Sequence, residues 1–342
     1  MYTSNIYNTA ERYSFYNPTR ILSYNNSRFL LDEVLSGRRF ILVVDQFFRH
    51  SNYILELIDK LNPVFTVEII NEPEISDFKN EIIKFSEDAE YIVAIGGGAS
   101  IDFAKLLSIC KRTNNFTTKL NENESIPNHA KIIALPTTCG SGSETSRYCV
   151  IFDKFQSKYS YRHWDLAPQL AILDPWFMQE SHVNQILSSV FDSFLHNLEA
   201  FFLKNEGDDR QRPFILAIIK DIMHFIDELQ TDGPTEKNIR KLMEASALGG
   251  VSISNTRTGL VHTFAESFVS FRKIPHPNAL FIFFAEILML YNDFFEEKLD
   301  ELGLQENFNL SDIVEKWGIM HNVFCFKEDI KLLDSEINEF TE

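Results

Sequence analysis

At 342 residues, with 44% hydrophobic and 24% charged residues, the chain is long enough for two domains with their own cores and has the balance of an ordinary globular protein. A formal net charge of −17 argues against a nucleic-acid backbone or an anionic membrane as main partner, because both would be repelled and no local basic patch offsets the field. The cysteines Cys110, Cys139, Cys149 and Cys325 have no short paired spacing, which points to reduced thiols in a cytoplasmic protein and not to a disulfide framework.

Residues 1–14 are polar and read as a loose arm, with no basic stretch followed by an apolar core that would mark a signal peptide. Phe15 to Leu22 reads as an opening strand, followed by a helix from about Ser27 to Leu35. Phe40 to Asp45 is a short, continuous apolar run ending in an acid, the pattern of a parallel strand covered on both faces. An acid at that place can hold the two ribose hydroxyls of NAD and repel the 2′-phosphate of NADP. Asp45 can equally be the first residue of the next loop. A helix (Tyr53 to Leu61), a strand (Val64 to Ile70), a turn at Asn71-Glu72-Pro73 and a second helix (Ile75 to Asp88) continue the βαβ alternation.

The strand Tyr91 to Ile95 runs into Gly96-Gly97-Gly98-Ala99-Ser100 and a helix from Ile101 to Cys110. Glycines between strand and helix let backbone N–H groups approach a pyrophosphate, and the helix N-terminus favours an anion. The spacing is not G-x-G-x-x-G, and a tight turn without ligand gives the same letters. The strand Lys131 to Leu135 leads into Pro136-Thr137-Thr138-Cys139-Gly140-Ser141-Gly142-Ser143-Glu144, a loop of hydroxyls and glycines at the carboxyl edge of a buried strand. A solvated Ser/Gly turn is its plain alternative. Tyr148 to Phe152 and Lys158 to Tyr161 read as a hairpin, and Ala171 to Pro175 closes the first domain.

After Glu180 the strand signals end. Apolar residues recur at three and four over Ile186 to Leu203, Phe214 to Leu229, Thr235 to Ser254, Leu260 to Phe271 and His276 to Tyr291, with a polar connection at Asn205 to Arg212. The run Ala279 to Tyr291 is interrupted by Glu286 and too short to span a bilayer, so it reads as a buried helix. Asn292 to Glu342 reads as short helices with acidic, loosely ordered ends. In the first of the long helices Asp192 and His196 are four residues apart and share one face. With His262 and His276 downstream they form one carboxylate and three imidazoles, a ligand set suited to Fe²⁺ or Zn²⁺ with room for a substrate oxygen. An Asp and a His at that spacing also occur as an ordinary surface pair.

Taken together these residues resemble the iron-containing alcohol dehydrogenase family, over about Phe15 to Tyr291. Gly96 to Asp102 looks like its GGGSxxD pyrophosphate loop, with Ala99 at the serine, and Pro136 to Glu144 like its PTTxGTGSE loop, with Ser141 for threonine. Lys158 and Leu173-Asp174-Pro175 match in order and spacing. The resemblance implies an N-terminal α/β, Rossmann-like nucleotide-binding domain (1–178) followed by an all-helical metal and substrate domain (179–342). It implies a dinucleotide held by Asp45, Gly97, Gly98, Ala99, Ser100, Asp102, Thr137, Thr138, Ser141, Ser143 and Lys158. The metal would be Fe²⁺ or Zn²⁺ on Asp192, His196, His262 and His276. The cofactor would be NAD, with NADP open, the substrate a small alcohol or aldehyde, and the assembly a homo-oligomer such as a dimer.

The departures are specific. Glu266 stands where the family's second histidine of His-x-x-x-His is thought to relay the alcohol proton, so Glu266 or water takes that part. Pro277 follows His276 in place of glycine, and the C-terminal region is shorter than typical. Ile253 to His262, Lys158-Tyr159-Ser160 and Tyr16-Asn17-Pro18 are similar to segments of phosphonoacetaldehyde reductase-like members. By that likeness Arg257, five residues before His262, would clamp an anionic aldehyde bidentately, or else cap a helix. The departures also admit a lapsed member serving as a nucleotide- or metal-binding accessory protein. A dehydroquinate synthase-like lyase finds no recognisable substrate residues.

Overall fold

The computed structural model describes residues 15–70, 74, 77, 89–109, 126, 129–153, 158–203, 211–272 and 276–301. The expected helix over 75–88, the arm 1–14, the connection 204–210, Pro275, Cys110, Cys325 and everything after 301 lie outside them. By chain contacts the protein divides into two units, Met1–Arg257 and Thr258–Glu342.

The first unit is built on six parallel strands in the order β1-β8-β5-β4-β2-β3. They are β1 (Arg20–Ser23), β2 (Phe40–Asp45), β3 (Phe65–Ile69), β4 (Tyr91–Gly96), β5 (Lys131–Pro136) and β8 (Leu170–Leu173), with β6 (Tyr148–Phe152) and β7 (Lys158–Arg162) forming a separate antiparallel hairpin. Side chains alternate across the sheet with the strand period of two. In β2, Ile41 and Val43 enter the core shared with α4 (Gly98–Ile109) and the hairpin. Phe40, Leu42 and Val44 enter the opposite core, under α1 (Leu30–Leu35) and α3 (Asn52–Leu61). Burial on both faces is why this strand reads as an unbroken apolar run.

The opening strand starts later than its apolar letters suggest, at Arg20. Asn17 Oδ1 accepts from Thr19 N at 2.9 Å, and Pro18 has no N–H to give a ladder. Asp45 ends β2 and caps the short helix α2 (Gln46–Arg49) by accepting from Phe47 N at 2.9 Å. Asp174 follows β8, accepts from Trp176 N at 3.1 Å and pairs with the buried Arg28 at 2.9 Å. The Arg28 guanidinium lies between the rings of Phe29 and Trp176, 4.5 Å from each centroid.

Helices α5 (Val183–Phe202), α6 (Gln211–Asp232) and α7 (Glu236–Asn255) pack on one another and complete this unit. They are fastened to the loop after β5. Cys139 N donates to Ser189 Oγ at 2.9 Å, and Thr145 Oγ1 donates to Ala247 O at 2.5 Å. Gly142 has φ +61°, and a Cβ there would fall 2.6 Å from Gly250 N and 2.8 Å from Ser246 O. The loop and α7 therefore meet backbone to backbone. Inside the joint Glu144 is buried, and desolvation holds its carboxyl up at about 7, with the Lys105 ammonium pulling against that rise.

In the second unit α8 (Leu260–Arg272) packs against α9 (His276–Glu301), with Phe283 stacked on Phe264 at 5.8 Å and edge-on to Phe268 at 5.5 Å. Helix α9 runs ten residues past the expected end at Tyr291, because Asp293, Glu296, Glu297 and Asp300 repeat at three and four and form its exposed face. Among the described residues no helix is long and apolar enough to cross a membrane.

Two outcomes follow for stability. Gly250→Ala, whose Cβ would run into the Gly142 carbonyl, is expected to cost about 1–3 kcal/mol in urea denaturation. Glu144 titrates near 4.5 when unfolded and about 7 when folded, so folding takes up a proton between those values and stability falls as pH rises through them. Glu144→Gln is expected to flatten the pH dependence of the unfolding free energy measured in urea by up to about 1.4 kcal/mol per pH unit in that window.

Candidate functional site

The strand order places the carboxyl ends of β2, β4 and β5 side by side. The chain leaves β2 for β3 on one side and returns to β4 on the other, so the loops after β2 and β4 flank a topological switch point, where open α/β sheets bind ligands. Gly96 pairs with Pro136 across β4 and β5, and Thr137 N donates to Gly96 O at 3.1 Å. A Cβ on Gly97 would lie 3.5 Å from Thr138 Oγ1, one on Gly98 2.8 Å from Ser141 Oγ, and one on Gly96 3.2 Å from Asp45 Cβ. The two loops singled out in the sequence and the acid ending β2 thus share one edge of the sheet.

Within that group the residues differ in access. Thr138 is exposed, and Gly97, Gly98, Ala99, Ser141, Asp45 and Lys158 are half-buried. Ser100, Thr137 and Ser143 are buried. Helix α4 begins at Gly98, one turn earlier than its apolar letters suggest, so Gly98, Ala99 and Ser100 form its first turn, where backbone N–H groups have no intrahelical acceptor. Asp102 is engaged by the protein: Ser143 Oγ donates to Oδ1, Val150 N to Oδ2 at 2.8 Å, and Lys105 Nζ lies 3.3 Å from Oδ1.

Lys105 escaped the sequence reading. Its side chain is fully buried, and Nζ donates to Ser143 Oγ at 2.7 Å and Tyr148 O at 2.6 Å, with Ser146 Oγ at 3.4 Å. The available signal was a lone cation inside the apolar run Phe103 to Ile109, three residues after Asp102. Cys139, also in the loop after β5, is free and fully buried, and burial pushes its thiol up to about 12, so it is no nucleophile at neutral pH. Cys149 is likewise buried, and its thiol donates to Asp102 O at 3.2 Å.

Helix α5 carries Asp192 and His196 one turn apart, both more than nine-tenths buried, with His196 Nδ1 3.7 Å from Asp192 Oδ1. They form no surface pair. The same helix touches the loop after β5: a Cβ on Gly140 would fall 2.7 Å from Ser189 O and 3.2 Å from Asp192 Oδ2. In the second unit His262 is buried in the first turn of α8, and His276 opens α9, with ring centroids 5.9 Å apart. Glu266 is half-buried one turn beyond His262 on the same helical face. Arg257 is exposed, two residues past the end of α7.

Comparison with known proteins was consistent across the chain. Residues 18–175 match the family model for iron-containing alcohol dehydrogenase, and residues 186–315 match the model for the C-terminal part of the same family. The 4-hydroxybutyrate dehydrogenase of Clostridium kluyveri is 28% identical over 228 residues, 65% of this chain and 60% of that protein. The bifunctional aldehyde-alcohol dehydrogenase of Escherichia coli K12 is 25% identical over 277 residues, 74% of this chain and 31% of that protein. The match thus spans less than two thirds of either relative. In fold the chain is similar to an iron-containing alcohol dehydrogenase of Thermotoga maritima, with TM-score 0.74 and 21% identity, covering 90% of this chain and 87% of that one. It is also similar to the sulfoacetaldehyde reductase of Bifidobacterium kashiwanohense, solved in complex with NAD⁺, with TM-score 0.70 and 21% identity over 81% and 77% of the two chains. With both halves matched in order by the two family models, the chain belongs to the iron-containing alcohol dehydrogenase family.

Proposed function

We propose that the protein is an NAD-linked, metal-dependent alcohol dehydrogenase or aldehyde reductase acting on a small substrate. The observation that carries this reading is the convergence of the Gly96–Ser100 turn, the Thr137–Ser143 loop and Asp45 at the switch point, on a chain of this family. The α4 N-terminus and the accessible Thr138 and Ser141 hold the pyrophosphate, while Asp45 takes the adenosine ribose hydroxyls and disfavours a 2′-phosphate. Residues 1–178 serve as the dinucleotide domain and 179–342 as the metal and substrate domain. A cytoplasmic homodimer belongs to the same reading.

Asp192, His196, His262 and His276 are the ligands of a divalent cation. One carboxylate and three imidazoles fit Fe²⁺ or Zn²⁺, and Asp192, His196 and His262 are all buried. When bound, the cation supplies Lewis-acid polarisation of a carbonyl and the nicotinamide supplies the hydride. The chain's own part is to orient and to move protons. Glu266, one turn from His262, replaces the family's relay histidine and delivers the proton that balances hydride addition to an aldehyde.

For substrate, the reading favours an aldehyde carrying an anionic group, such as phosphonoacetaldehyde. Arg257 is an exposed guanidinium in a segment like that of phosphonoacetaldehyde reductases, and two of the similar proteins are named for a hydroxycarboxylate and a sulfonated aldehyde.

The test is NADH oxidation with a panel of short aldehydes and added Fe²⁺ or Zn²⁺, followed at the nicotinamide absorbance. Turnover is expected, and His262→Ala should lower kcat more than roughly 100-fold, since even outer-shell partners of a metal cost up to about that much. Dinucleotide binding without turnover on any aldehyde would favour an accessory role instead. Arg257→Ala should raise KM for phosphonoacetaldehyde about 10- to 100-fold, the worth of a charged hydrogen bond, and leave KM for neutral aldehydes within about twofold.

A further inference from the structure

We infer that Lys105 is a positioning residue for dinucleotide binding, fixing the first turn of α4 against the loop after β5 and cancelling the charge of Asp102 behind the pyrophosphate turn. The inference rests on the dinucleotide reading above and assigns to that site a residue that never touches the cofactor. Three segments meet at one ammonium group. Asp102 comes from α4, Ser143 and Ser146 from the loop after β5, and the Tyr148 carbonyl from the start of the hairpin. Ser143 is held twice, because it also donates to Asp102. Its neighbour Ser141 is the residue that approaches Gly98 across the two loops.

A lysine is a costly filler for this space. The run Phe103 to Ile109 is otherwise apolar apart from Ser108, and a buried ammonium is tolerated only with a complete set of acceptors. Methionine would fill the same volume at no electrostatic cost. What methionine lacks is the charge. Asp102 lies four residues after Gly98 on the same helical face, so its carboxylate sits one turn behind the N–H groups meant for an anion. An uncompensated carboxylate there opposes the helix-terminus field and repels the pyrophosphate. Lys105, 3.3 Å from that carboxylate, makes the pair neutral.

The experiment is NADH titration of the full-length protein, read by nicotinamide fluorescence, alongside steady-state kinetics. Lys105→Met is expected to raise the NADH Kd about tenfold, an effect of about 1.4 kcal/mol, with kcat at saturating NADH held within about twofold. Lys105→Met combined with Asp102→Asn should recover most of that affinity, because it removes the stranded charge. A merely structural role would leave the double variant no better than the single one. Wild-type protein that binds no NADH would overturn the dinucleotide reading and this step with it. Wild-type binding with an unchanged Kd in Lys105→Met, or a double variant no better than the single one, would overturn the role of Lys105 alone. Should Lys105→Met not fold, Ser143→Ala decides: a Kd raised about threefold supports the joint, and an unchanged Kd overturns it.

Discussion

A sheet whose strands all run one way must bring every strand's carboxyl end to the same edge, and that constraint organises the rest of the first unit. Parallel strands need crossover connections that cover both faces, so the side chains of β2, β4 and β5 are spent on two apolar cores and chemistry is left to the strand ends. Asp45, Gly96 and Pro136 are the last residues of three adjacent strands. Their proximity follows from register: Val44 opposite Ile95 and Gly96 opposite Pro136 set the loops level with one another. A slip of one residue would exchange the two faces of a strand and move its loop off the edge.

The helical layer is attached at that same edge. Ser189 and Asp192 of α5 lie against Cys139 and Gly140, while Gly250 and Ala247 of α7 meet Gly142 and Thr145. Most of these contacts involve backbone on at least one side, and they are close enough that Cβ atoms at Gly140 or Gly142 would collide. A loop pinned at both ends by main chain has little freedom to relax, so the distance from the Gly96–Ser100 turn to Asp192 is set by the fold and not by side-chain packing. This accounts for a loop built of Gly and Ser at a place where a larger residue would have offered more burial.

Much of this was legible in the sequence because the signals were local. The apolar run ending at Asp45, the glycines after β4 and the hydroxyl-rich loop after β5 each carried their own letters, and strand boundaries there fell within a residue or two. The start of β1 was not legible from apolar content alone, because an Asn17 side-chain turn and Pro18 decide it. The length of α9 was hidden by its acidic residues, which read as the start of separate short helices until their spacing of three and four was followed. Lys105 was invisible for a different reason. Its partners Ser143 and Tyr148 are some forty residues away, and the apolar run around it signals burial without saying what it would pair with.

The same joint also explains why the Glu144 carboxyl is raised. Lys105 has a single positive charge and two acids to serve, Asp102 at 3.3 Å and the buried Glu144. Asp102 takes the pairing, and it also accepts from Ser143 and Val150. Glu144 is left with a weaker share of the ammonium and with a buried Oε1 that has no hydrogen-bond partner, and desolvation then raises it to about 7. The joint between the loop after β5 and the helical layer thus holds one close ion pair, Lys105 with Asp102, beside a carboxyl whose burial favours its protonated form. On the dinucleotide reading proposed above, pairing Asp102 with Lys105 leaves the helix-terminus field of α4 unopposed.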